Sequence, residues 1–164
     1  MKIGIIGPSD VNVLSEINPL AKKIIKELVG KLLEFEIVVT PDKGSASEFF
    51  AKDYFERGGL KVSCVVPLDD KEFGYAWINL NLGEIINCGI WRNQPEKLNE
   101  ETDALLCLGY AAGVLAEIAY SKWFKPKKVY VVKELVCGEL PKELNRSLKI
   151  EYISFKNFGK ELKC

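Results

Sequence analysis

The chain has 164 residues, enough for one domain of ordinary size with a core that needs no disulfide or metal staple. Lysine plus arginine total 23 and aspartate plus glutamate total 23, which excludes the uniform basic field of a dedicated nucleic-acid binder. There are 0 histidines, so chemistry that depends on imidazole is excluded, and any general acid or base must be Asp, Glu, Lys, Tyr or Cys.

In chain order, Lys2–Gly7 reads as a buried strand and ends in Gly7-Pro8-Ser9-Asp10. Apolar residues at 20, 21, 24, 25, 28, 29, 32 and 33 predict a helix over Pro19–Leu33, with Lys22, Lys23, Lys26 and Glu27 on its wet face. Glu36–Thr40 predicts a second strand. A second helix follows over Ser45–Arg57, stopped by Gly58-Gly59, and a third strand over Lys61–Pro67. Leu68–Trp91 mixes aromatics, Asn and Gly, with a short strand expected around Ile78–Leu82. Beyond it the expectations are a helix over Asn93–Glu101, a strand over Asp103–Leu108, a helix over Gly113–Phe124 and a strand over Lys128–Val132. A short helix over Pro141–Leu148 and a strand over Lys149–Ser154 close the chain.

Alternating strands and helices, with strands rich in Val, Ile and Leu, predict a mainly parallel sheet covered on both faces. That is an α/β, Rossmann-like, doubly wound three-layer sandwich, one domain over residues 1–164. Ligands in such folds sit beyond the carboxyl ends of the strands, at the switch point. No GxGxxG follows the first strand, and GxxxxGK[ST] and GxSxG are absent from the sequence. The cysteines at 64, 88, 107, 137 and 164 form no CxxC pair, and Cys64 and Cys107 read as buried apolar residues. No metal site is expected. The longest uncharged run, Ala104 to Ala116, is short of the roughly 18 residues of a membrane span. Without a signal-peptide core the chain reads as cytoplasmic, with neither membrane nor nucleic acid as partner.

Two loops carry the candidate site. In LLCLGYAAGVLAEIAY a buried strand ends at Gly109, and Tyr110, Ala111, Ala112, Gly113 and Val114 lead into a helix. Small residues let a ligand approach the backbone, and the helix start offers free N–H groups to an anion. Glu117 lies one turn in. The alternative is tight helix–sheet packing with a solvated glutamate. In TPDKGSA, Thr40, Gly44 and Ser45 stand between a strand and a helix, and Ser45 or Ser47 equally suits a helix cap. Two helix starts aimed at one crevice favour a phosphate. Arg92 is a candidate for gripping a phosphate or carboxylate, or else a surface arginine. Phe73, Tyr75, Trp77 and Trp91 suit either a stacked base or core and dimer packing.

Together these pieces resemble the LOG-like superfamily, the "possible lysine decarboxylase" family, nearest to its molybdenum cofactor carrier subgroup. The likeness rests on KIGIIGPSD, on Glu56-Arg57-Gly58-Gly59 before VSCVVP, on Arg92-Asn93, and on TDALLCLGYAAGVLAEIAYSKWFKPKKVYVV with its Lys-Pro turn. Asp103, Gly113 and Glu117 stand where the family's PGGxGTxxE region has its aspartate, GT glycine and glutamate. Gly109, Tyr110 and Ala111 replace PGG, and Val114 replaces threonine. The resemblance implies a homodimer or higher homo-oligomer that binds a nucleotide, a molybdenum cofactor or another phosphorylated small molecule. Its ligand-binding candidates are Gly7, Pro8, Ser9, Asp10, Thr40, Gly44, Ser45 and Gly109 through Val114. With the motif degraded to GYAAGVLAE, binding without efficient catalysis is expected. The alternatives are hydrolysis of the N-glycosidic bond of a nucleoside 5′-monophosphate, with Glu117 and Arg92 as catalytic residues, and an assembly module with a vestigial site. Lysine decarboxylation is not expected. Nucleoside 2-deoxyribosyltransferases share a similar Asp-headed strand, glycine turn and early glutamate, but KIGIIGPSD favours the LOG side.

Overall fold

The structure, a computed structural model, describes residues 1–124 and 127–163. Lys125 and Pro126, the Lys-Pro turn of the resemblance, lie outside the described residues, as does Cys164. Seven strands, β1 (Lys2–Ile6), β2 (Glu36–Val39), β3 (Lys61–Val66), β4 (Glu84–Asn87), β5 (Ala104–Cys107), β6 (Lys128–Val132) and β7 (Lys149–Ile153), form one sheet in the order β4-β3-β2-β1-β5-β6-β7. Every pairing is parallel. The helices are α1 (Leu14–Ile17), α2 (Ala21–Leu32), α3 (Ala46–Glu56), α4 (Gln94–Glu100) and α5 (Ala112–Tyr120).

A strand's side chains alternate between the two faces of its sheet, and here the alternation separates two cores. Ile3, Ile5, Ile37, Val39, Leu106 and Tyr130 pack with α2 and α3 on one face. Ile6, Val38, Leu105, Cys107 and Val129 pack with Leu98 of α4 and with Val114 and Ile118 of α5 on the other. Both sides of the central strands are dry, so they read as continuous apolar runs. α2 buries Ala21, Ile24, Ile25, Leu28, Val29 and Leu32, the stripe expected of a helical period. Four cysteines are free thiols, with Cys64, Cys88 and Cys107 buried and Cys137 exposed.

The elements differ from the sequence expectation in three places. Ile78 makes only an isolated antiparallel bridge to Asp42, and the edge strand comes later, at β4. Gly83 sets the change: a Cβ there would lie 2.1 Å from the Val62 carbonyl oxygen, so only glycine lets the chain close on β3 before pairing starts. The helix expected to reach Phe124 ends as α5 at Tyr120 and continues as a 3-10 turn, Ser121–Trp123. Residues 142–146 form a 3-10 turn rather than an α-helix. Among the described residues no helix is long and apolar enough to cross a membrane, and no cluster of His, Cys, Asp and Glu suits a metal ion.

From β1 the chain steps outward through β2, β3 and β4, then returns to β5 on the other side of β1. The crossover between β3 and β4 contains no helix. The switch point therefore falls between the carboxyl ends of β1 and β5, where a crevice opens.

Candidate functional site

A cavity of about 420 Å³ occupies this switch point. Gly7 and Ser9 line it after β1, and Thr40 and Ser45 after β2. Ala111, Ala112, Gly113, Val114 and Glu117 supply the wall from the β5–α5 connection. The two loops singled out in the sequence thus do meet. Trp91, one of the aromatics suited to a stacked base, completes the lining with Gln94, Asp42, Ser47 and Pro95, four residues the sequence did not single out as ligand contacts.

Six candidates stand outside the lining. The Pro8 carbonyl accepts a hydrogen bond from the Ala46 N–H at 3.0 Å, and the Gly44 carbonyl accepts one from Val11 at 2.9 Å, which tie the β1 loop to the start of α3. Gly44 takes φ +86°. The Asp10 carboxylate accepts from the Asn12 N–H at 2.9 Å and caps a 3-10 turn. Gly109 holds the turn after β5 at φ +144°, with Leu14 crowding any Cβ. The Tyr110 hydroxyl pairs with the Tyr152 hydroxyl at 3.3 Å, so its ring belongs to the core beside β7. The Arg92 guanidinium donates to Glu72 at 3.0 Å with its side chain 73% exposed. A 3-10 turn over Trp91–Asn93 explains its outward placement. Residues three apart eclipse in such a turn, so Trp91 and Gln94 share the cavity side and Arg92 falls off it.

The two helix starts are not equivalent. α3 begins with a variant of the capping box: the Ser45 Oγ accepts from the Glu48 N–H at 3.0 Å, and the Glu48 carboxylate accepts at 2.7 Å from the N–H of Gly44, one residue before the N-cap. The side chains of Asn79 and Lys52 also reach Glu48. The start of α3 is thus the less open of the two to an anion, because the Pro8 carbonyl takes the Ala46 N–H, Ser45 takes the Glu48 N–H, and the Glu48 carboxylate lies beside them. α5 has Ala111 as its N-cap, with no side-chain hydrogen bond and no acidic residue in the first turn. Its first N–H groups, at Ala112, Gly113 and Val114, have no partner inside the helix, and all three residues line the cavity. Among the described lining residues there is no lysine or arginine.

A hydrogen-bond chain crosses the cavity floor. The Thr40 hydroxyl donates to the Val65 carbonyl at 3.1 Å, so its oxygen is left to accept from the Gln94 side-chain amide at 2.8 Å. The same Gln94 nitrogen donates to Glu117 Oε1 at 2.9 Å. Both amide hydrogens are thereby committed, and the Gln94 side-chain oxygen remains as an acceptor. The Asn99 amide donates to the Glu117 backbone carbonyl at 2.8 Å and locks α4 to α5. Asp70, almost fully buried, accepts from the N–H groups of Glu72, Phe73 and Trp91 and sets the wall that carries Trp91.

No family model matches the sequence, and no curated protein is similar to it in sequence. Solved structures do match. The molybdenum cofactor carrier protein of Chlamydomonas reinhardtii superposes with a TM-score of 0.71 at 16% identity, over 99% of this chain and 94% of that one. The molybdenum cofactor binding protein of Rippkaea orientalis superposes with a TM-score of 0.69 at 16% identity, over 99% and 94%. The chain has the fold of the molybdenum cofactor carrier proteins.

Within this carrier fold, burial acts on two carboxyls. Desolvation, helped by the charge of Asp42, outweighs the Gln94 hydrogen bond and pushes Glu117 up to about 7. Desolvation and the charge of Glu48 push Asp42 up to about 6. A carboxyl raised in the folded state stabilises the fold below its unfolded pKa, and that contribution is lost as pH rises through the folded value. For Glu117 the window runs from 4.5 to about 7. Thermal melts of Glu117→Gln against wild type at pH 5 and pH 8 check this. The variant is expected to lose less stability between the two pH values, and equal losses would contradict the burial of an ionisable group at 117.

Proposed function

We propose that the protein binds a phosphorylated small molecule, a nucleotide or a molybdenum cofactor-like pterin phosphate, and holds it without rapid turnover. The observation that carries this reading is the uncapped, glycine- and alanine-built first turn of α5 facing the switch-point cavity. The helix dipole and free N–H groups are an anion site by themselves, and no side-chain carboxylate competes in that first turn. The neighbours, one named as a carrier and the other as a binding protein of the molybdenum cofactor, support a ligand of that class. The outward turn of Arg92 argues against fast glycosidic hydrolysis.

A second reading, hydrolysis of a nucleoside monophosphate, draws on Glu117, since a carboxyl near 7 inside a cavity suits general acid–base work. We further propose a cytoplasmic protein that pairs with itself through the outer face of α5 and the 3-10 turn that follows it. There Leu115, Tyr120 and Trp123, the last 76% exposed, leave an apolar strip.

A thermal-shift panel of nucleoside monophosphates, ribose 5-phosphate and pterin phosphates tests the main reading. A ligand at 100-fold its dissociation constant adds about 2.7 kcal/mol, or roughly 5–10 °C for a chain of this size. A shift without release of free base is the expected result. Release of base from the bound ligand establishes the hydrolase instead, and no shift with any phosphate sinks both.

A further inference from the structure

Beside the switch-point cavity, and sharing Asp42 and Trp91 with it, lies a shallow pocket of about 220 Å³ completed by Phe73 and Trp77. Three of its four lining residues are aromatic. Phe73 is 58% exposed, Trp77 is 42% exposed and Trp91 is half-buried. A single apolar residue at a surface needs no explanation, but three rings gathered round one hollow do.

The rings are held from behind. The Asp70 carboxylate accepts from the N–H groups of Phe73 at 2.8 Å and Trp91 at 2.9 Å. The Trp77 carbonyl accepts from the Lys43 N–H at 2.8 Å, and the next residue, Ile78, bridges Asp42. Trp77 and Trp91 lie parallel, with centroids 5.6 Å apart and planes at 6°, an offset stack that leaves part of each inner face uncovered. The Trp91 indole N–H is spent on the Gly74 carbonyl at 2.7 Å, so this ring offers a face rather than a donor. The hollow is formed before a ligand arrives, and filling it costs little ordering.

Asp42 sets the charge. No lysine or arginine lines the pocket. Lys43 and Arg92, next to Asp42 and Trp91 in the chain, are turned to the Ala76 carbonyl and to Glu72. The Asp42 Oδ1 is buried without a hydrogen bond, so it offers nothing to an N–H donor, but its charge still acts across the pocket. The aromatic rings present negative faces and no acceptor. A primary ammonium here would find at most one open carboxylate oxygen for its three N–H groups. A cation that carries no N–H avoids that cost.

We propose that Phe73, Trp77 and Trp91, with the charge of Asp42 beside them, form a binding site for a quaternary ammonium head of the kind carried by choline. The methyl groups pack on the ring faces, and the positive charge is drawn by the ring quadrupoles and by the carboxylate. The site uses no group of α5 and stands apart from the anion reading.

The three tryptophans give three indole N–H signals, and their NMR titration with choline and with its neutral carbon isostere, 3,3-dimethylbutanol, tests this. At pH 8 Asp42, raised to about 6, is ionised. Choline is expected to shift the Trp77 and Trp91 signals with a dissociation constant on the order of 1–10 mM, about fivefold or more tighter than the isostere. Trp123, exposed elsewhere on the surface, is expected to stay in place and so controls for unspecific contact with rings. Asp42→Asn is expected to bring choline down to the affinity of the isostere and to leave the isostere unchanged. Phe73→Ala and Trp77→Leu, both at exposed side chains, are expected to weaken choline at least threefold with the rest of the spectrum preserved. Equal binding of choline and the isostere, a choline advantage that survives Asp42→Asn, or shifts at Trp123 as large as those at Trp77 would overturn the site and leave the anion reading as it stands.

Discussion

Ala111→Asp is expected to raise the melting temperature and at the same time abolish phosphate binding. Ala111 is the N-cap of α5, at φ −157° and ψ 168°, the extended geometry a capping side chain needs. An aspartate there accepts from the N–H groups of the first turn and meets the positive end of the helix dipole. The gain is about 1 kcal/mol, or roughly 2–4 °C. The same carboxylate fills the place proposed for the ligand's phosphate. A like charge at that distance, in a partly dry cavity, weakens an anion on the order of 100-fold or more. Calorimetry with ribose 5-phosphate and a thermal melt on one preparation check both halves. A stabilised variant that still binds phosphate would move the anion site away from α5.

Gly83→Ala carries the largest expected loss of stability. The new Cβ would meet the Val62 carbonyl oxygen at 2.1 Å and its carbonyl carbon at 2.7 Å, and backbone does not yield as a side chain tip does. β4 must then lift from β3, breaking the register that pairs Ser63 with Glu84 and Cys64 with Ile85. A cost of about 3 kcal/mol follows, roughly 6–12 °C in melting temperature. Gly138→Ala is the matched control, since nothing lies within 4 Å of its Cβ and its φ is not positive. Similar melting temperatures for the two variants would show that the β3–β4 contact is loose.

The central strands and α2 were legible because burial on two faces writes an apolar run and burial on one face writes a helical stripe. The glycine- and alanine-rich start of α5 was legible for a similar local reason: small residues after a buried strand mark a close approach. The 3-10 turn at Trp91 was not, and with it went the expectation that Arg92 would face the ligand. Leu68–Trp91 was illegible because its shape comes from bonds between distant residues. Trp91 binds Asp70 across 21 positions and Asn79 binds Glu48 across 31. The orientation of Gln94 is dictated by Thr40, 54 positions away, and no local pattern records that. Asp42 escaped notice because an unpaired oxygen is a property of its surroundings, not of its neighbours in the chain.

The helix-free crossover between β3 and β4 separates two tasks that a helix would have joined. The cavity wall supplied by α5 is rooted in the core through Val114 and Ile118, so altering it disturbs the scaffold. The neighbouring aromatic wall comes from the crossover and from the turn after β4, and one carboxylate, Asp70, fastens Phe73 of the first to Trp91 of the second. Residues between these pins can be exchanged without breaking a helical period or a strand ladder. The chain is therefore free to reshape one wall of the cavity while leaving the α5 wall intact, and such change would rewrite the crossover rather than the sheet.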